Sequence, residues 1–539
     1  MNMNLSEIVE KINSAVWGAP TLVLIVAVGV YYTVRLKFFQ FSRLPLWLSN
    51  TLFALFKKDG VTKKEKKNSL SPLQALSTSL AATIGTGNIA GVAAAIAAGG
   101  PGAVFWMWLC SLFSMMTSYA ENTLGILFRE SDESGAPVGG PMYYLKNGLS
   151  KSRLERKFGA FLASAFSFFT LLASFGIGNM TQSNSISGAL YSSLGASKVA
   201  VGLVTALLAF LVISGGAARV GSFTEKLVPF MAFFYLSASF CIIFSNIKSA
   251  PTVFACIFKS AFSLESALGG VGGAAIKKAV SIGFRRGVFS NEAGLGSTVM
   301  VGASSSVREP AVQGMWGIFQ VFVDTTVICT VTAFVLLSTS VTAVPLDFAL
   351  GHPTEETQYI LLTDDKGETR VPISDSHENK ILELGENGEI KRGEETTFTN
   401  VMALRPTETG GFSLEKIEGS ALVLLSFRSF FGKWADIILS VAVTLFAFST
   451  IVGWSFYGCI SGRFLFGKGF LKIYRPLFCA LTFFGAISKL DIIWNISDIF
   501  NGLMAIPNLV GVIFLSGDVL KATRSFLKRI EKGDDEALF

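Results

Sequence analysis

Histidine is almost missing from this chain: His352 and His377 are the only two in 539 residues, and both fall in a polar segment. The apolar runs therefore offer no H-E-x-x-H pair, and they hold no paired acids, so an intramembrane enzyme has neither its metal ligands nor its nucleophile. A G-x-x-x-x-G-K-[ST] phosphate loop is missing as well, which removes a nucleotide-driven pump. The six cysteines (Cys110, Cys241, Cys256, Cys329, Cys459, Cys479) sit in or beside apolar runs without metal-ligand spacing and read as small hydrophobes. Charge is scarce too, at 15% of residues. The net charge of +7 would suit nucleic acid, but the basic residues occupy short loops between apolar spans, where membrane orientation accounts for them.

What the chain has is apolar length. Hydrophobic residues make up 51% of it and the mean hydropathy is +0.53, the composition of a polytopic membrane protein. Forty-eight Phe and fifty-three Gly fit lipid-facing aromatics and close helix packing. The sequence predicts an all-α fold with eleven spans, at 18–36, 73–98, 101–128, 159–188, 197–214, 223–245, 252–284, 311–339, 432–462, 473–488 and 491–516. Roughly 20 helical residues suffice to cross about 30 Å of hydrocarbon. The first span makes a poor signal peptide, because Glu7 and Glu10 precede it and Arg35, Lys37 and Arg43 follow it.

Positive residues gather on the cytoplasmic side. Loop 37–72 carries Lys57, Lys58, Lys63, Lys64, Lys66 and Lys67 and is placed inside. Alternation then puts Lys151–Lys157, Arg219, Arg285 with Arg286, Arg463–Arg475 and the tail (Lys521, Arg524, Lys528, Arg529) on that same face. The expectation is an N-terminus outside and a C-terminus inside, in a plasma membrane of bacterial type. Segment 342–420 is different: it holds 16 of the 38 acids and 7 of the 45 basic residues. This acidic excursion falls outside on the same topology and reads as β-rich or partly disordered, for example at Glu356–Leu362 followed by Asp365-Lys366-Gly367.

One span carries its own interruption, Thr83-Ile84-Gly85-Thr86-Gly87-Asn88. Gly costs about 1 kcal/mol relative to Ala inside a helix, and freed backbone groups at membrane depth need protein or a polar cavity to receive them. A second glycine-rich stretch, Gly269-Gly270-Val271-Gly272-Gly273, lies in a later span. Four spans separate the two and four follow the second. With the first helix set aside, this makes two inverted sets of five with a break at matching positions, a pointer to a transporter binding site. The implied organisation is an extra helix and basic loop (1–72), a first repeat (73–245), a second repeat (252–516) interrupted by 342–420, and a tail (517–539). Half-helix ends meeting at mid-depth suit a carboxylate at the N–H end and a small cation at the carbonyl end. No Lys or Arg stands at mid-depth, so a zwitterion held by backbone N–H groups and a bound cation fits, and the Gly/Ala lining favours a small side chain.

Several longer stretches carry a resemblance. Gly99–Leu109 (GGPGAVFWMWL), Gly139–Tyr144 (GGPMYY), Gly178–Ser185 (GNMTQSNS), Phe289–Ser297 (FSNEAGLGS) and Gly453–Gly458 (GWSFYG) are similar to segments of the alanine/glycine:cation symporter family. The resemblance implies a leucine-transporter-like fold, sodium coupling, small neutral amino acid substrates, and Asn88, Gln182 and Trp454 around the substrate with the backbone at the two breaks. It places sodium at the carbonyls of Ala81 and Ile84 and the hydroxyls of Ser449 and Thr450, although those hydroxyls would equally bond to the preceding helical turn. Asp324, a lone acid in an apolar span, is either a coupling or gating residue or a helix contact. Arg285, Arg286 and Glu292 form either a gate at the inner mouth or a solvated turn. Ser114, Ser118 and Cys459 depart from the family pattern, and proton coupling and a channel remain the alternatives.

Overall fold

The computed structural model describes residues 5–56, 69–262, 270–340, 419–488 and 491–533, together with strands between 359 and 416. The lysines of loop 57–67 and Gly269 lie outside the described residues. The membrane part is helical throughout: α1 (Leu5–Val16), α2 (Ala19–Arg35), α3 (Pro72–Thr83), α4 (Ala90–Gly99), α5 (Gly102–Leu127), α6 (Pro141–Gly148), α7 (Arg153–Phe175), α8 (Thr181–Leu194), α9 (Lys198–Ile213) and α10 (Gly216–Ser245). Then come α11 (Ala250–Phe262), α12 (Gly270–Asn291), α13 (Pro310–Val321), α14 (Thr330–Ser340), α15 (Ser420–Phe431), α16 (Trp434–Phe466), α17 (Leu471–Ile487), α18 (Asp491–Phe514) and α19 (Ser516–Glu531).

Among the described residues, eight helical stretches are long and apolar enough to cross a membrane, or nine when the bent pair α3–α4 counts as one. The predicted span 197–214 is the 16-residue α9, and the predicted span 252–284 is two helices, α11 and the start of α12. Proline opens α3, α6 and α13, where its missing N–H costs nothing. The outward faces of α9 and α10 expose Leu203, Leu207, Leu211, Phe230, Phe233 and Phe244, the apolar surface that lipid covers.

Two clusters of helices stand out in the packing, joined to each other by contacts of α2 and α5 with α18. In one, α5 lies against α12, α13 and α2; in the other, α7 lies against α18, α16 and α6. The acidic excursion is β-rich, not disordered, in its described residues. Strands β1 (Tyr359–Asp364), β2 (Thr369–Asp375), β3 (Glu378–Leu384), β4 (Ile390–Gly393), β5 (Phe398–Pro406) and β6 (Phe412–Lys416) make one antiparallel sheet of order β4-β3-β2-β1-β5-β6. Leu362 of β1 stands opposite Arg370 on one side and Val401 on the other.

Candidate functional site

Helix α3 starts on a capping box: Ser71 Oγ accepts the Gln74 N–H, and Gln74 Oε1 accepts the Ser71 N–H. It stops at Thr83, and the chain resumes after a single 3-10 turn (Thr86–Asn88) as α4, bent 62° from α3. Gly85 is required by contact, since a Cβ there would stand 2.6 Å from Thr450 Oγ1. Gly453 does the same for the packing of α16 on α3, with Ala82 only 2.7 Å from where its Cβ would lie. A helix that stops this way leaves the carbonyls of its last turn, Ala81 among them, without N–H partners.

Against that carbonyl end lie the hydroxyls of α16. Ser449 Oγ donates to the Ala81 carbonyl at 3.3 Å. Ser449 and Thr450 donate to the Phe446 carbonyl at 2.8 and 3.0 Å, so their protons are committed and their lone pairs remain. On the other side of the break, no backbone carbonyl among the described residues accepts the N–H of Thr86 or Gly87. Space is open beside Gly87: a Cβ there would meet nothing within 4 Å. The buried Thr83 hydroxyl has no hydrogen-bond partner among the described residues. Gln182 closes the opposite wall, accepting from Thr86 Oγ1 at 3.1 Å and donating to the Ile177 carbonyl.

The second interruption is not where the glycine count put it. Gly270 opens α12, and residues 270–273 run as helix backbone. Glycines in a first turn do not break a helix, whereas left-handed residues do. Those come at the far end, where Glu292, Gly294 and Gly296 have φ of 57°, 89° and 77°. Helix α12 therefore ends at Asn291, and the irregular strap 292–298 follows. It is the last turn of α12, just before this strap, that meets the first break. Asn88 is wholly buried: its Oδ1 accepts the Gly85 N–H at 3.0 Å, while Nδ2 donates to Ser290 Oγ at 3.0 Å and Asp324 Oδ1 at 2.8 Å. Ser290 and Thr325 donate to Asp324 Oδ2. Asp324 thus fastens both breaks from a π-helical stretch, Phe322–Cys329, of the kind that often marks functional positions. Asn291 secures the strap through the Ala293 N–H and Thr325.

Two of the gate residues need correcting, and a third goes with them. Glu292 is buried at the strap, accepting from Trp454 Nε1 at 3.1 Å and from Ser297. It forms no ion pair among the described residues. Trp454 is buried as well, its ring edge-on to Tyr457 and lying where only a glycine, Gly178, leaves room. Arg285 pairs with Asp498 at 3.4 Å and lies over the Trp17 ring, and Arg286 faces Gly91 of α4. Both arginines therefore stand on the α4 side of the breaks. The opposite end is marked by the bridge of Leu70 to Ser305 and by Arg129, which donates to the Ser305 carbonyl. The inner-mouth reading followed from running 252–284 as one span. A cavity of about 380 Å³ lined by Ser69, Arg129, Glu130, Ser305 and Arg308 lies at that opposite end and contains none of the expected site residues.

The sequence reading missed Ser290, Asn291, Thr325 and Phe446, whose roles arise from contacts between distant helices. It also missed Glu121, an acid in an apolar span that the rule applied to Asp324 would have flagged.

The model of the sodium:alanine symporter family matches residues 2–357 and 396–539. The chain belongs to the sodium:alanine symporter family. The unmatched stretch falls within the β-sheet excursion. Relatives in this family include the sodium/alanine symporter AgcS of Methanococcus maripaludis, 36% identical over 97% of this chain and 98% of the relative. The probable sodium/glutamine symporter GlnT of Bacillus subtilis is 32% identical over 100% of this chain and 94% of its own length. Among solved structures, the crystal structure of MhsT in complex with L-phenylalanine aligns with a TM-score of 0.47 at 13% identity, covering 85% of this chain and 93% of that one.

Proposed function

We propose that this chain carries a small neutral amino acid, alanine or glycine, together with sodium, by alternating access. The frame is leucine-transporter-like, two five-helix repeats behind one extra helix. The observation that carries the reading is the meeting of the two interruptions through Asn88, Ser290 and Asp324, with open space beside Gly87. The substrate carboxylate goes to the N–H groups of Thr86 and Gly87 at the positive end of α4. Thr83 and Gln182 line that space and Trp454 covers it. Sodium goes to the carbonyls of Ala81 and Ile84 and the lone pairs of Ser449 and Thr450, at the negative end of α3.

The driving force is adequate. One charge crossing 100 mV gains about 2.3 kcal/mol and a tenfold sodium gradient adds about 1.4, enough for several hundredfold accumulation at one-to-one coupling. With the basic ends facing the cytoplasm and the N-terminus outside, the Arg285–Asp498 pair belongs to an outer gate. The second reading, proton coupling through Asp324, is disfavoured by its hydrogen bonds: both oxygens accept donors, as a fixed charge would.

The test is uptake into proteoliposomes with an amino acid panel that includes glutamine, with and without a sodium gradient at fixed pH. Saturable, sodium-dependent uptake of alanine or glycine supports the proposal. Uptake driven by a pH gradient without sodium overturns it in favour of proton coupling, and a non-saturating current points to a channel.

A further inference from the structure

Glu121 sits in the last two turns of α5 and is completely buried. Its Oε1 accepts the Gly294 N–H from the strap at 3.0 Å and the Asn508 amide from α18 at 2.5 Å. Asn508 also donates to the Gly294 carbonyl at 2.8 Å, and its own oxygen accepts from Tyr144 of α6. Three elements therefore meet at one carboxyl, and Asn508 links a fourth, α6, to it. Glu121 lies on α5 and Gly294 on the strap after α12, a helix packed on α5, while Asn508 and Tyr144 lie on α18 and α6, which pack against α7.

The other carboxyl oxygen, Oε2, is buried without a hydrogen-bond partner among the described residues. Asp324 is the contrast, with donors at both oxygens. The groups that face Glu121 from the helices around it are phenols: Tyr32 of α2, which donates to the Val512 carbonyl, and Tyr144 of α6. Several charged groups on the neighbouring elements are engaged elsewhere. Glu292 on the strap binds Trp454, Arg285 of α12 pairs with Asp498 of α18, and Glu309 before α13 pairs with Arg529 of α19. No Lys, Arg or His pairs with Glu121 among the described residues. A buried carboxylate with one bare oxygen and no countercharge is among the costliest arrangements a protein can hold. The neutral acid keeps both Oε1 bonds and removes the charge.

We infer that Glu121 is a proton-binding site that fastens the second break to α18, holding its proton while the two helix groups are joined and giving it to water when they part. The step is a simple dissociation, carboxylic acid to carboxylate plus a proton taken up by solvent. Rejoining requires the proton back, so the transport cycle slows as proton concentration falls. The inference rests on the symport reading for that consequence, but not for the protonation itself.

Two measurements separate these. The infrared difference between wild type and Glu121→Gln, both in lipid nanodiscs at neutral pH, reports the carboxylic C=O band that a carboxylate lacks. Its presence is expected, and its absence overturns the inference whether or not the protein transports. If Glu121→Gln does not fold, wild type is treated with dicyclohexylcarbodiimide, which modifies protonated carboxyls in apolar surroundings. An adduct on the Glu121 peptide is expected, and failure to label it overturns the inference. Sodium-driven alanine uptake then supplies the second arm. Wild-type uptake should fall about tenfold per pH unit above the titration of the site, and Glu121→Gln should transport with a flat profile. A Glu121→Gln protein that keeps the wild-type profile overturns the inference while leaving symport intact. Absence of sodium-dependent uptake in wild type, with the infrared band present, overturns the symport reading alone.

Discussion

Replacing Asn88 with Ala removes three hydrogen bonds and strands their partners. The Gly85 N–H loses Oδ1, and Asp324 Oδ1 loses its amide donor in a wholly buried position. Each stranded group costs about 1–3 kcal/mol, so the pair is worth roughly 2–6 kcal/mol to a break that must keep its shape. The strap and the first break would relax to recover partners, and the N–H groups of Thr86 and Gly87 would turn with them. If only the lower end of that range reaches the ligand, alanine affinity falls about 30-fold, since 1.4 kcal/mol is a factor of ten. The assay is equilibrium binding of radiolabelled alanine to purified protein in saturating sodium, with a monodisperse elution profile and a melting curve to show that the variant is folded. Binding within about threefold of wild type in a folded variant would refute the reasoning, because it would mean that the amide does not shape the site.

Three further outcomes follow from the same geometry. On the proposed ion site, Ser449→Ala and Thr450→Ala would each remove one sodium ligand and should raise the sodium concentration needed for half-maximal uptake by about tenfold or more, roughly 1.4 kcal/mol per lost ligand; an unchanged sodium dependence in both would move the ion elsewhere. Gly178→Ala puts a methyl group into the Trp454 ring and should displace the indole from Glu292, read as a shift in tryptophan fluorescence together with loss of uptake. At the α5 loop, burial raises the Asp132 carboxyl, but hydrogen bonds from Ser134, Arg463 and Ala136 outweigh it and hold the group below the usual carboxylate range. A lowered carboxyl stabilises above its unfolded value near 3.9 and loses that contribution as pH falls through the folded value. Arg463→Ala should therefore lower the melting temperature at neutral pH and have progressively less effect in strong acid.

The first break was legible because Gly85-Thr86-Gly87-Asn88 concentrates poor helix formers in an apolar run, although on spacing alone Gly87-xxx-Gly91 would equally have served close helix packing. The second was misplaced for a physical reason. Glycine number is a weak signal, and Gly270–Gly273 sits where a helix begins, whereas Gly294 and Gly296 are needed for their positive φ, which composition does not reveal. The error carried Arg285 and Arg286 to the wrong end of the molecule. The strand content of the acidic excursion was readable from Tyr359–Leu362, while its sheet order depends on pairings that no local pattern encodes. Asp324 was visible as an isolated acid. Its four elements of support, Asn88, Ser290, Thr325 and the π-helical turn, come from three separate parts of the chain and exist only after folding.

The most direct measurement is reciprocal binding on the purified protein: alanine affinity across a sodium series, and sodium affinity with and without alanine. Two ligands that bind on either side of one broken helix must change each other's affinity by the same factor, and the account predicts a favourable coupling of about tenfold or more that Ser449→Ala abolishes. Alanine binding that is indifferent to sodium would contradict it.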